Sequence, residues 1–201
     1  MKKPLLLLLI AVLAAALVWV VFFWSPQGKD PVDPAISDRP TGGDFVFQSH
    51  AGPVALQDMR GKVVVLYFGY TWCPDICPTS LGFLAAALNE LSPQQQAQFQ
   101  GVFVSVDPER DTLEKLKTYA GYFHHKIVGV TGTPEQIDLA VKSYGAAYRM
   151  QKLDSEAQYL VDHSADLYLI DKQGRLAKTL RHGTRPEEIL DAILQLLEPQ
   201  G

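Results

Sequence analysis

The chain has 201 residues, 47% of them apolar and 20% charged, with five histidines, two cysteines and a formal net charge of −4. That balance excludes a generally basic nucleic-acid binder, whose phosphate contacts need clustered Lys and Arg. Two cysteines cannot build a multi-disulfide scaffold, and a single long apolar run rules out a polytopic membrane protein.

The run is residues 5–24 (LLLLLIAVLAAALVWVVFFW), twenty residues without a polar side chain. At about 1.5 Å per residue it reaches about 30 Å, the thickness of the hydrocarbon core. The only small-residue cluster, Ala14-Ala15-Ala16, is followed by more apolar sequence from Leu17 to Trp24. The pattern therefore predicts an uncleaved transmembrane signal anchor over 1–24 rather than a cleaved signal peptide. Lys2 and Lys3 precede it, whereas Asp30 and Asp33 follow, which places the N-terminus in the cytoplasm and the body outside. The expected location is the bacterial cytoplasmic membrane, single-pass, with a soluble domain in the periplasm or at the cell exterior. No lipobox-like Cys follows the segment. Without residues 1–24, 16 basic side chains face 22 acidic ones.

Residues 25–43 hold four prolines and three glycines and read as a flexible tether. From Asp44 to Gly201 one domain is expected. Phe45–Phe47 and Val54–Leu56 flank a turn and predict a hairpin. Val63–Phe68 and Gly101–Val106 are continuous apolar runs, as in strands buried on both faces. Between them lies a helix, Leu81–Leu91. Thr112–Phe123 has a helical apolar face, and Ile127–Val130 is a short strand. Thr133, Pro134 and Gln136 open another helix that ends near Gly145. Leu167–Ile170 and Arg175–Leu180 form a second hairpin, and Pro186 starts a final amphipathic helix. This order implies an α/β domain with a central mixed sheet flanked by helices.

Both cysteines lie in Tyr70-Thr71-Trp72-Cys73-Pro74-Asp75-Ile76-Cys77-Pro78, after the first buried strand and before a helix. Chemistry concentrates at such strand ends in α/β folds, and the helix N-terminus favours a thiolate. A structural disulfide across three residues would remove little unfolded-state entropy. Redox chemistry and metal binding remain. The extra residue relative to C-x-x-C lets both sulfurs face one ion and still permits a disulfide. A structural zinc site needs four protein ligands, whereas Cu(I) is satisfied by two or three soft ones, so the ligand count favours copper. His163, just before the strand at Leu167, is the candidate third ligand, against the plainer reading of a satisfied loop histidine. In a thioredoxin-like arrangement that segment faces the cysteine loop and usually carries a cis-proline, yet no proline occurs between Pro134 and Pro186. His124 and His125 read as helix-end cations suited to the dipole; His50 and His182 read as solvent-facing.

Three ordered motifs, Gly69–Pro78, Val104-Ser105-Val106-Asp107-Pro108-Glu109-Arg110-Asp111-Thr112 and Val161-Asp162-His163-Ser164, together with Tyr168–Asp171, resemble the Sco/SenC family of membrane-anchored copper-delivery proteins. The likeness covers about residues 41–199. It implies a thioredoxin-like fold, copper as Cu(I) and/or Cu(II) on Cys73, Cys77 and His163, and help in assembling the binuclear copper centre of cytochrome c oxidase. The implied partners are the copper-binding subunit of that oxidase and another periplasmic copper chaperone or thiol reductant. On this reading the chain is a metallochaperone rather than an enzyme. The alternative is a thiol–disulfide reductase that keeps the oxidase's copper-ligand cysteines reduced, with Cys73 attacking and Cys77 resolving. Asp107 and Asp111 are expected to shape a partner-docking face or the surroundings of the site, although Asp111 or Thr112 could instead cap the helix that follows. Leu113 stands where the family often has proline, a departure that touches a helix start and no ligand.

Overall fold

The computed structural model describes residues 40–152 and 159–198, together with Leu13, Leu17 and Trp19. The chain divides into two units, Met1–Arg39 and Pro40–Gly201. In the first unit the three described residues are helical and exposed. The expected anchor and most of the tether otherwise lie outside the described residues. Among the described residues, no helix is long and apolar enough to cross a membrane.

The second unit begins before Asp44. Gly42, in a left-handed conformation (φ 71°), donates its N–H to the Ser143 carbonyl at 3.1 Å, and Tyr144 Oη donates to the Gly43 carbonyl at 2.9 Å. The last residues of the expected tether are thus built into the domain.

Among the described residues, nine strands and five α-helices follow. The first hairpin is β1 (Val46–Ser49) and β2 (Gly52–Ala55). Then come β3 (Val63–Gly69), α1 (Ile76–Asn89), α2 (Pro93–Ala97), β4 (Phe99–Ser105), α3 (Leu113–Phe123), β5 (Ile127–Thr131) and α4 (Pro134–Ser143). The chain continues through β6 (Tyr148–Lys152), β7 (Tyr159–His163), β8 (Leu167–Ile170), β9 (Leu176–Leu180) and α5 (Pro186–Leu197). Seven strands form one mixed sheet in the order β2-β1-β5-β4-β3-β8-β9. Its three central strands, β3, β4 and β5, are parallel and the outer pairings are antiparallel.

The sequence explains that layout. All seven residues of β3 are buried, as a strand needs when it lies between neighbours and under helices on the sheet faces. Helix α1 packs against α5, and α3 lies on β5 and β1. Thr133 and Gln136 form the capping box expected at the start of α4. The register pairs Gly69 with Ser105 at the C-terminal ends of β3 and β4. The segments that leave these two ends, one carrying the cysteines and the other Asp107 to Asp111, therefore emerge side by side.

Three features differ from expectation. Helix α1 starts at Ile76, not Leu81, because Pro78 sits in its first turn, where a missing N–H costs no intrahelical bond. A short helix, α2, carries a capping box of Ser92 and Gln95. Third, β6 and β7 form a separate two-stranded antiparallel sheet, pairing Tyr148 with His163. His163 thus ends a strand instead of lying in a loop.

Candidate metal centre

From Gly69 the chain turns sharply, with the Cys73 N–H donating to the Tyr70 carbonyl at 3.2 Å. Cys73 precedes α1 and Cys77 is its second residue. The three residues between them span the start of the helix and bring both sulfurs to one side. Both thiols are free; Cys77 is fully buried, and Cys73 is 8% exposed. The sulfur of Cys77 lies against the backbone of β3: a Cβ on Gly69 would sit 2.6 Å from Cys77 Sγ and 2.9 Å from Phe103 Cε2. Gly69→Ala is therefore expected to cost about 1–3 kcal/mol through overpacking and to displace the sulfur. Thermal unfolding, with alkylation of the thiols in the folded protein, would check both effects; wild-type behaviour in both would contradict this packing.

His163 reaches the pair from β7. Its Nε2 lies 3.2 Å from Cys77 Sγ, while its Nδ1 lies 3.0 Å from the Ser164 carbonyl. A carbonyl only accepts, so Nδ1 carries the proton and the Nε2 lone pair faces the sulfurs. The edges of Tyr67 and Tyr70 hold the ring, with centroids at 6.2 and 5.7 Å. The ligand atoms of Cys73, Cys77 and His163 all lie within 4.8 Å of one another, and no other such trio of His, Cys, Asp or Glu occurs among the described residues. Metal–ligand bonds of about 2.0–2.3 Å bring three donors around one ion to about 3.5–4 Å apart. Only a small contraction separates this cluster from a ligand set. Two sulfurs and an imidazole suit copper in either oxidation state.

The two thiols are unequal. A hydrogen bond from Cys77 draws the Cys73 pKa down to about 4, against the upward push of its burial. Burial pushes the Cys77 thiol up, and the negative charge of Cys73 adds to that. The reduced pair thus favours a thiolate on Cys73, the less deeply buried sulfur, and a proton on Cys77.

Asp107 and Asp111 are buried in the surroundings of the site. Asp111 Oδ2 accepts from the Thr71 N–H at 2.9 Å and from Ser105 Oγ at 2.6 Å, while its Oδ1 accepts from Thr71 Oγ1 at 2.5 Å. It ties the cysteine loop to the end of β4. The cap of α3 is Thr112, whose side chain accepts from the Lys115 N–H. Asp107 accepts from Arg110 Nε at 2.5 Å and from Tyr159 Oη at 2.7 Å. Thr71, Ser105, Arg110 and Tyr159 were not singled out from sequence; Ser105 and Arg110 stand in the second motif, but Tyr159 has no local signal. At the rim Trp72 is 61% exposed, with Lys115 Nζ 5.9 Å from its ring centroid.

The remaining histidines stand apart from this cluster. His124 is buried, and that burial, with His125 and Lys126 nearby, lowers its pKa. It is no helix-end cation: its Nδ1 accepts from the Lys126 N–H. His50 is exposed and pairs with Glu114 at 2.8 Å. His182 is exposed but bound, with Nδ1 2.9 Å from Ser80 Oγ.

Comparison with known proteins gives one answer throughout. The SCO1/SenC family model matches residues 33–198. The mitochondrial Sco1 homolog 1 of Arabidopsis thaliana is 32% identical over 189 residues, which cover 88% of this chain and 56% of the relative. The chain spans a little over half the length of the mitochondrial relatives it matches. Among solved structures, Arabidopsis thaliana ScoI with copper bound superposes with a TM-score of 0.71 at 36% identity, covering 78% of this chain and 97% of that one. Bradyrhizobium japonicum ScoI with copper bound gives 0.70 at 32% identity, covering 78% and 99%. With family match, sequence identity and superposition all spanning the domain that carries both cysteines and His163, this chain belongs to the SCO1/SenC family.

Proposed function

We propose that the chain is a copper metallochaperone, tethered outside the cytoplasmic membrane by residues 1–24, that helps assemble the binuclear copper centre of cytochrome c oxidase. The observation that carries this reading is the convergence of two sulfurs and one unprotonated imidazole nitrogen within 4.8 Å. The copper-bound relatives support copper as the cargo. Thiolates hold Cu(I), and the imidazole adds the harder nitrogen that retains Cu(II). Cys73, 8% exposed, and the half-buried His163 are less deeply buried than Cys77, so they are the ligands a partner's groups would replace first. The partner on this reading is the copper-binding subunit of the oxidase, with another copper chaperone or a thiol reductant upstream.

The unequal thiols favour a second reading, a thiol–disulfide reductase acting on the oxidase's cysteines. The accessible Cys73 thiolate attacks a partner disulfide, and Cys77 then resolves the mixed disulfide. That chemistry gives His163 no need to bind metal.

Titration of the reduced whole chain with Cu(I) and with Cu(II) separates the two. His163→Ala is expected to raise the Cu(II) dissociation constant at least about tenfold and to remove nitrogen hyperfine structure from the Cu(II) spectrum, while Cu(I) stays bound. No copper binding by the wild-type chain would sink the chaperone reading, and an unchanged Cu(II) site in the variant would remove His163 from it.

A further inference from the structure

His163 belongs to a hairpin that shares no strand with the main sheet, so something other than the sheet must fix its distance from the cysteines. We infer that the buried Asp107, with the half-buried Arg110 and Tyr159, is a clasp that positions His163 for copper, an inference that rests on the copper-binding reading. The three residues close a ring of contacts. Arg110 Nε donates to Asp107 Oδ2 at 2.5 Å and Tyr159 Oη donates to Asp107 Oδ1 at 2.7 Å. Arg110 Nη1 then donates to the Tyr159 carbonyl at 2.8 Å, and its guanidinium stacks on the Tyr159 ring, 3.6 Å from the centroid. One arginine thus grips both the backbone and the ring of the same β7 residue, a planar, multidentate contact that lysine cannot reproduce.

The grip propagates along β7 by its two-residue repeat. Tyr159, Val161 and His163 alternate along one side of the strand. Tyr159 is held by the clasp, the Val161 N–H donates to Tyr70 Oη at 3.4 Å, and His163 meets Cys77. Tyr70 links all three positions, since its ring also lies 5.5 Å from the Arg110 guanidinium and edge-on to His163. Asp107 itself is fixed by its N–H to Ser105 Oγ at 3.1 Å. Ser105 in turn donates to Asp111, the carboxylate that ties down the cysteine loop. The turn from Asp107 to Asp111 therefore holds the sulfur-bearing loop at one end and the histidine-bearing strand at the other. None of Asp107, Arg110 or Tyr159 is a ligand; they act through His163.

The test compares Arg110→Ala, Arg110→Lys and Tyr159→Phe with Arg149→Ala, which breaks an exposed ion pair to Asp162 on the same hairpin. In the reduced, metal-free whole chain, proton NMR contacts between the His163 ring and the rings of Tyr67 and Tyr70 report the histidine's position without copper. Arg110→Ala is expected to lose these contacts and to weaken Cu(II) about 10–100-fold, with Cu(I) affinity nearly unchanged because both sulfurs stay in place. Arg110→Lys should rescue little, Tyr159→Phe should fall between, and Arg149→Ala should match wild type. Retained ring contacts and Cu(II) affinity in Arg110→Ala would overturn the inference. So would parallel losses of Cu(I), Cu(II) and melting temperature, the mark of a purely structural role. Should Arg110→Ala fail to fold, Tyr159→Phe decides by the same measurements. A wild-type chain that binds no copper would defeat the chaperone reading, while the NMR contacts would still decide the clasp.

Discussion

Cys77→Ser is expected to abolish tight Cu(I) binding. The sulfur is fully buried, packed against the Gly69 backbone, and no other described cysteine can replace it. A serine hydroxyl there is a hard, weakly acidic donor, poorly matched to Cu(I). Cys73→Ser should abolish binding as well, since one thiolate and one imidazole cannot reproduce the two-sulfur set. The variants differ in a second respect. Cys77→Ser buries a new polar group and should lower stability by about 1–3 kcal/mol, whereas Cys73→Ser, at a less deeply buried position, should lower it less. Competition for Cu(I) against a chromogenic chelator, with a denaturation curve for each variant, separates ligand loss from misfolding. Wild-type Cu(I) affinity in either variant would refute the two-sulfur site.

Asp111→Ala should damage the domain more than any change at the cysteines. The carboxylate accepts from the Thr71 N–H, Thr71 Oγ1 and Ser105 Oγ, and its own residue is 1% exposed. Removing it leaves three donors without that acceptor, each costing about 1–3 kcal/mol where water cannot enter. A loss of about 3 kcal/mol or more follows, equivalent to a fall in melting temperature of roughly 6–12 °C for a domain of this size. Asp111→Asn keeps one acceptor oxygen and should lose less. The cysteine loop is anchored through Thr71, so thiol alkylation in the folded state should also accelerate in Asp111→Ala. A change under about 0.5 kcal/mol, typical of an inert surface site, would contradict the role drawn from these bonds.

Much of this architecture was legible in the sequence because its signals are local. The apolar runs around Leu66 and Phe103 announce buried parallel strands, and Thr133 with Gln136 announces a helix start. The cysteine motif could be placed at a strand end from its neighbours alone. The β6–β7 hairpin was not legible. Its strands read YRMQK and YLVDH, mixed in polarity and without a tight-turn dipeptide. Their pairing is a long-range match that composition does not reveal. His163 was therefore found as a residue, but the strand that carries it was missed. The bonding partners of the two acids are hidden in the sequence for a different reason. Asp107 and Asp111 sit among Pro, Glu and Arg, a polar stretch whose local pattern does not announce burial. Their burial follows only when β3 and β4 align Gly69 with Ser105 and set the two outgoing segments back to back.

The separateness of the β6–β7 hairpin has a consequence for release of a bound ion. Its strand pairing is its own, and Arg110 and Tyr70 tie its backbone to the rest of the domain at Tyr159 and Val161; where those ties release, it can open as a local unit, at a free energy below that of global unfolding. The two sulfurs, fixed by β3 and α1, would not move with it. On the copper-binding reading, a site divided between a rigid part and a hairpin held by that clasp would pass through a two-coordinate stage without disturbing the fold. Loss of metal is then governed by the lifetime of one hairpin, a quantity that sequence changes far from the sulfurs can set.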